Sequence, residues 1–298
     1  MIKKNDYEVL ISHNKKNVVV CVIILTYNEY FLTKNCLYSI LDNTPKEYNY
    51  KIILIDDHSR DNSYKKLVKD FWKIKEVDIL RNNQNFKFSK ANNLGIKYSK
   101  ERYNPKYYFL LNNDTLVTKG WLENCIKVAE SKNDIGIVGC KQKNFEGALV
   151  RCAGYIGPFG VKYYYGNEIK EVNWVMGASM LIKREVIEKI GLIDEGFYPA
   201  YYEETDFIFR AKKAGFKIFF SPKSIILHKV SGYLKREGNE YFIRTFYKNR
   251  IRFFVGRYGW IYFIPRLVVD LIKQRKNLPL LLESYKSGLK SLKEKPLI

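Results

Sequence analysis

Hydrophobic positions along the chain change their period, and the period separates strands from helices. Val18 to Leu25 reads VVVCVIIL without a polar break. A continuous β-branched run of this kind fits a strand covered on both faces, as in a parallel sheet. From Tyr30 to about Asp42, Leu32, Cys36 and Ile40, with Leu37 and Leu41, fall at helical spacing. Lys51 to Ile55 (KIILI) is a second buried strand, and Tyr64 to Lys73 is amphipathic, with Leu67, Val68, Phe71 and Trp72 on one side. Val77 to Leu80 and Tyr107 to Leu111 (YYFLL) predict two further strands.

Strand, helix, strand, helix, strand over about 115 residues predicts an α/β fold, a mixed and mostly parallel central sheet flanked by helices with right-handed crossovers. The order then loosens. Gly120 to Ser131 is helical, Ile135 to Cys140 is a strand, and Val172 to Ile182 is mostly strand-like. Arg184 to Ile190 is a short helix closed by Gly191, and Glu203 to Ala214 is a helix closed by Gly215. Phe216 to Phe220 and Ile225 to Leu227 read as two short strands. From about Lys235 the chain is helical, basic and aromatic, a C-terminal appendage.

Composition narrows the class. The chain has 298 residues, 46% of them apolar and 15% aromatic, which excludes disorder as the dominant state. Its 52 Lys and Arg exceed its 31 Asp and Glu by 21. Lys235 to Ile298 alone holds 15 basic and 5 acidic residues, a surplus that attracts phosphates. Five cysteines, odd in number and with no CxxC pair, argue against a disulfide framework or zinc ribbon. Met1 to Lys16 lacks the apolar run of a secretory signal, and Trp260 to Ile272 is interrupted by Arg266 and Asp270. A cytoplasmic protein, at most peripheral on the cytoplasmic face of a membrane, is expected.

Ligands of open α/β sheets bind beyond the carboxyl ends of the strands. Thr26-Tyr27-Asn28-Glu29 follows the first strand, Asp56-Asp57-His58-Ser59-Arg60-Asp61 the second, and Asn112-Asn113-Asp114 the YYFLL strand. Capping and turn formation explain any one of these. They explain the joint pattern less well. A carboxylate beside a phosphate needs a hard cation such as Mg²⁺ or Mn²⁺ between them, and Asp114 suits that role. Asp57 suits a hydrogen bond to a nucleobase or ribose.

These segments, together with WVMGASMLIK from Trp174, the YYEETDF run around Glu204 and HKVSG from His228, resemble the family 2 glycosyltransferases of GT-A fold, in their rhamnosyltransferase-like branch. The resemblance covers about Val18 to Gly232. It implies a GT-A catalytic unit over residues 1–234, with a nucleotide-binding half about 18–115 and an acceptor half about 116–234, and an appendage over 235–298. It implies inverting transfer of a sugar from a nucleotide-diphosphate donor, such as dTDP-rhamnose or a UDP-hexose, to a hydroxyl of a glycan or lipid-linked acceptor in cell-surface polysaccharide synthesis. By resemblance, Thr26 with its neighbours Tyr27, Asn28 and Glu29, and Asp56 and Asp57, contact base and ribose. Asn92 or Asn93 lies near the nucleotide. Asn112-Asn113-Asp114 replaces the DxD motif, leaving Asp114 as the metal carboxylate. His228 is a second contact to metal or diphosphate. Glu203-Glu204-Thr205-Asp206 matches the ED-x-D element, with Glu204 at the position of the catalytic base and Glu203 and Asp206 beside it. Trp174 and Gly177 match W-x-x-G-A, under the acceptor.

Three departures stand out. Asn112 removes one carboxylate from the metal. Glu204 is one methylene longer than Asp. Asn85 replaces the usual glycine of N-x-G-F. The base takes the acceptor proton as its oxygen attacks the anomeric carbon, and its pKa is expected to rise through its acidic neighbours.

The aromatic and arginine-rich tail fits a cover over the catalytic unit, then a membrane surface, and last nucleic acid. A nucleic-acid-binding protein is the rival class, and acids at several strand ends oppose it. An inactive nucleotide-sugar-binding relative is the other alternative. A homodimer is left open.

Overall fold

The computed structural model describes residues 2–3, 6–157, 160–229 and 232–294, so Val230 and Ser231 of HKVSG lie outside the described residues. The chain opens with β1 (Ile2–Lys3) and β2 (Tyr7–Ile11), then β3 (Val20–Thr26), α1 (Tyr30–Asn43), β4 (Tyr50–Asp56), α2 (Ser63–Phe71) and β5 (Val77–Asn82). α3 (Lys87–Tyr103), β6 (Tyr107–Asn112), β7 (Thr115–Val117), α4 (Trp121–Glu130) and β8 (Ile135–Lys143) follow. β5, β4, β3 and β6 run parallel and side by side, as the continuous apolar runs predict. Every residue of β4 is buried, and the two faces of the sheet carry separate apolar cores.

The second half inserts antiparallel pieces. β9 (Ala153–Gly157), β10 (Gly160–Tyr163) and β12 (Trp174–Val175) form a small separate sheet. β11 (Lys170–Val172) sits at the edge of the main sheet. β13 (Ser179–Lys183) inserts antiparallel between β6 and β8. α5 (Arg184–Ile190) and α6 (Glu203–Lys213) are followed by β14 (Lys217–His228), which pairs parallel with β8. Gly191 (φ 76°) and Gly215 (φ 96°) end the two helices in backbone that favours glycine.

The structure adds two elements that the sequence reading did not assign and corrects two that it did. The N-terminus is a strand: YEVLI alternates in burial, and β2 pairs antiparallel with β5. The polar segment 87–103 is a full helix, whose buried face includes Ser89, Asn92, Asn93 and Ser99 among the apolar residues. Buried polar residues hide the helical period there. Gly95 admits this helix to the sheet, because a Cβ would stand 2.5 Å from Ile55 Cδ1 and 2.7 Å from Ile23 Cγ2. Trp72 lies past the end of α2 and is exposed, so Leu67 and Phe71, with partly buried Val68 beside them, carry its apolar side. The two short strands after Gly215 are one strand, β14, with an irregular register between Ser221 and Ile225.

The tail forms α7 (Gly232–Tyr258, broken at Gly238), α8 (Trp260–Lys273) and α9 (Leu278–Glu294). They build a third core around Phe197 and Tyr202, the residues just ahead of α6. Buried Arg252 reaches Asp194 at 3.3 Å, and Arg257 Nε donates to Asp206 at 2.6 Å. The tail is thus fixed to the segment that carries Glu204.

Candidate active site

The ends of β3 and β4 are held together by side chains. Thr26 hydroxyl bonds Thr33 at 2.7 Å, and the Asn113 amide donates to Thr33 at 3.0 Å. Ser59 hydroxyl accepts the Asn28 amide N–H at 2.7 Å, while Asn28 Oδ1 accepts the Arg60 N–H. Asn28 (φ 58°), Glu29 (φ 61°), His58 (φ 65°) and Lys87 (φ 62°) adopt left-handed backbone around this rim, and Asn85 does not. Such conformations cost an ordinary side chain energy and gather where loops are shaped for function. The loop tolerates Asn85 because its left-handed residue is Lys87. Tyr27 is half-buried near the Lys87 ammonium.

The adjacent acids differ. Asp57 is engaged on both oxygens: Oδ1 accepts from Asn82 at 2.8 Å and the Phe86 N–H at 2.9 Å, and Oδ2 from the Lys87 N–H at 2.8 Å. It fastens the start of α3. Asp56 takes the Ser59 N–H at 3.2 Å on Oδ2, with Arg81 at 3.6 Å, and its buried Oδ1 has no partner. Burial raises the pKa of both, against the hydrogen bonds they accept. Arg81 also lies 3.4 Å above the Tyr64 ring. Asn92 and Asn93 stand apart from this rim. Asn92 bonds the Phe88 carbonyl, and Asn93 braces the backbone of Ile193 and the side chain of Glu195.

Asp114 follows β6, and His228 ends β14, where it pairs in register with Thr115 of β7. His228 Nε2 lies 3.3 Å from Asp114 Oδ1, a buried oxygen without a hydrogen-bond partner. His228 Nδ1 lies 2.8 Å from Gln142 Oε1, and Gln142 Nε2 donates to Ser179 at 2.8 Å. The amide oxygen only accepts, so a ring proton sits on Nδ1, and Nε2 faces the Asp114 carboxylate. A cation between the two, or a second ring proton, completes the contact. Two ligands about 3 Å apart suit neighbouring positions around a Mg²⁺-sized ion. The pair therefore fits a divalent cation. Among the described residues no group of three or more His, Cys, Asp or Glu gathers to hold a metal.

Glu204 opens α6, behind Tyr201 and Tyr202, both with left-handed φ of 72°. Trp174 Nε1 donates to Glu204 Oε1 at 3.3 Å and to Thr205 Oγ1 at 3.1 Å. Burial is the main cause raising the Glu204 pKa, rather than its acidic neighbours Glu203 and Asp206 as the sequence suggested. Burial, then the charge of Glu204, pushes Glu203 well up, and its Oε2 has no partner. Asp206 is clamped by Arg210 at 2.9 Å and Arg257 at 2.6 Å, so it braces α6.

One cavity of about 590 Å³ joins these walls. Glu203, Glu204, Trp174 and Gly177 line it on one side and Asn112 and His228 on another. Gln142, Arg81 and the tail residues Arg250 and Arg266 escaped the sequence reading. Gln142 lies inside an ordinary strand sequence, and the basic tail offered no means of telling inward cations from outward ones.

Comparison with known proteins gives the family and the fold. Residues 21–191 match the model of "Glycosyl transferase family 2", and residues 108–290 that of "Glycosyl transferase family group 2". The chain is similar to the low-salt glycan biosynthesis hexosyltransferase Agl10 of Haloferax volcanii, 27% identical over 168 residues. The match takes in 53% of this chain and spans 53% of that relative. It superposes on GalNAc-T7, solved with UDP, GalNAc and Mn²⁺, with a TM-score of 0.67 and 17% identity over 94% of this chain and 58% of that one. It superposes on the mannosyltransferase PcManGT of Pyrobaculum calidifontis, solved with GDP-Man and Mn²⁺, with a TM-score of 0.61 and 14% identity over 96% of this chain and 77% of that one. The fold is GT-A. With more than half its length matched by the family model, the chain belongs to glycosyl transferase family 2.

Proposed function

We propose that this chain is an inverting glycosyltransferase acting in cell-surface glycan synthesis. It moves a sugar from a nucleotide-diphosphate donor to a hydroxyl of a glycan or lipid-linked acceptor. The observation that carries the reading is the single cavity lined by both Glu204 and His228, with Asp114 at 3.3 Å from His228. The hexosyltransferase relative supports a hexose donor; a UDP-hexose and dTDP-rhamnose, the latter suggested by the family branch, are the donors to test.

Glu204 takes the acceptor proton as the acceptor oxygen attacks the anomeric carbon from the face opposite the diphosphate, inverting that centre. Trp174 holds one Glu204 oxygen by its indole N–H. Burial raises the proton affinity of Glu204 above that of an ordinary glutamate, which strengthens it as a base. Asp114 and His228 would hold Mg²⁺ or Mn²⁺, which supplies positive charge to the leaving diphosphate when bound. Asp56, with its unpartnered oxygen, and Arg81, stacked on Tyr64, would meet base and ribose. Asp57, Asn93 and Asp206 serve by shaping the walls.

Residues 1–234 act as the catalytic unit, and 235–298 as a fixed cover that also borders the cavity. Ile261, Ile264, Val268 and Ile272 form an exposed apolar row on α8, among the cations of the tail. This supports peripheral contact with the anionic cytoplasmic face of a membrane. No described helix is long and apolar enough to cross one.

The test is melting temperature and transfer against UDP, dTDP and GDP sugars, each with and without Mn²⁺. A nucleotide shift that needs the metal is expected, with transfer abolished in Glu204→Gln while that shift remains. Full turnover by Glu204→Gln would remove Glu204 from the base role.

A further inference from the structure

Arg266 on α8 is a buried cation without an anion. It is 6% exposed. One Nη donates to the Gly157 carbonyl at 3.0 Å, its Nε has no partner, and among the described residues no carboxylate forms an ion pair with it. Asp270, one turn further on, is taken by Arg250 and by the Tyr285 hydroxyl at 2.6 Å. The guanidinium also lies 4.9 Å from the centre of the Phe254 ring, a contact that leaves its charge without an anion, and a buried charge so placed is costly. Its planar fork matches phosphate oxygens.

Arg266 lines the same cavity as Glu204, and so does Lys273. The two cations are seven residues apart on one helix and share a face. Lys273 forms no ion pair among the described residues, whereas Arg250 between them is matched by Asp270. Arg250 Nε also donates to the Tyr202 hydroxyl at 3.0 Å, which ties this cationic wall to the residue just before α6. These cations come from the tail. Asp114 and His228 come from the strand ends. The tail thus gives the cavity a positive wall of its own, apart from the Asp114 and His228 pair.

We propose that Arg266 and Lys273 form an acceptor subsite for a phosphate group, so that the acceptor is a phosphorylated hydroxyl compound whose free hydroxyl reaches Glu204. The inference rests on the glycosyltransferase reading. The same anion chemistry could come from the donor diphosphate, and the experiment separates the two sources.

Binding of sn-glycerol 3-phosphate and of glycerol to the full chain is measured by calorimetry, alone and with saturating UDP, dTDP or GDP plus Mn²⁺. The phosphate compound is expected to bind at least tenfold more tightly than glycerol, with or without nucleotide. Arg266→Gln is expected to weaken it at least tenfold, and Arg266→Lys to recover part of the loss. Lys273→Ala, at an exposed position, tests the site without disturbing the core and is expected to weaken binding several-fold. Competition between nucleotide and glycerol 3-phosphate would assign Arg266 to the donor and overturn the proposal. Wild-type affinity in the folded Arg266 and Lys273 variants would overturn it as well. Phosphate binding without any nucleotide binding would support the anion site and sink the glycosyltransferase reading alone.

Discussion

Gly177 packs directly against Glu204: a Cβ at position 177 would stand 3.0 Å from Glu204 Cβ and 3.3 Å from its Cγ. A side chain there displaces the carboxylate. Gly177→Ala is expected to fold and to bind nucleotide, yet to lose about a hundredfold in turnover, the cost of a misplaced catalytic group. Single-turnover kinetics beside a nucleotide-binding curve checks this, and unchanged turnover would mean that Glu204 position does not matter.

Glu203 and Glu204 titrate above the ordinary glutamate value of 4.5, because burial disfavours their charged forms. The native state therefore holds protons that the unfolded chain has released, and stability falls as pH rises from 4.5. Glu203→Gln is expected to raise the melting temperature at pH 7, and the gain should vanish toward pH 4. Glu204 works only when ionised, so the acid limb of the pH–rate profile is expected above 4.5. Melting curves and rates over pH 4–8 check both; a gain that persisted at pH 4 would contradict the first.

Asp206 is a stability residue. Asp206→Ala removes the carboxylate that Arg210 and Arg257 share. A loss of about 3–5 kcal/mol is expected, read by denaturant unfolding. A variant as stable as the parent but inactive would return Asp206 to the reaction itself.

The metal pair makes a separate prediction. Asp114→Asn and His228→Ala are each expected to abolish the Mn²⁺-dependent nucleotide shift and to leave the melting temperature without nucleotide unchanged. Gln142→Leu removes the acceptor that fixes the proton on His228 Nδ1, and about a 10–100-fold loss of metal affinity is expected. Calorimetric Mn²⁺ titration in the presence of UDP reads all three. Equal affinity in Gln142→Leu would show that the ring needs no such support.

The sheet was legible because its strands are continuous apolar runs, and VVVCVIIL and KIILI could hardly be anything else. α3 was not, because Asn92, Asn93 and Ser99 are buried for hydrogen bonds rather than for apolarity. The site was legible as residue types at strand ends. The sequence could not say which acids are already occupied. Asp57 and Asp206 look like ligands in one dimension, yet their oxygens are taken by Phe86, Lys87 and Asn82 in one case and by two arginines in the other. Asp56 and Asp114 keep an unpartnered oxygen, and that is a property of packing.

The irregular stretch of β14 has a consequence for His228. Ser221 lies opposite Cys140 and Ile225 opposite Lys141, so β14 advances four residues while β8 advances one. Ile218 and Phe220 belong to one core and Ile226 to the other, so the strand turns its side chains over within that stretch. Because strand side chains alternate with period two, the facing of His228 is a matter of parity. Deleting a single residue between Ser221 and Ile225 would leave strand, sheet and histidine in the sequence and turn the imidazole away from Gln142. Its orientation is written as an odd number of extra residues, several positions before the ring itself.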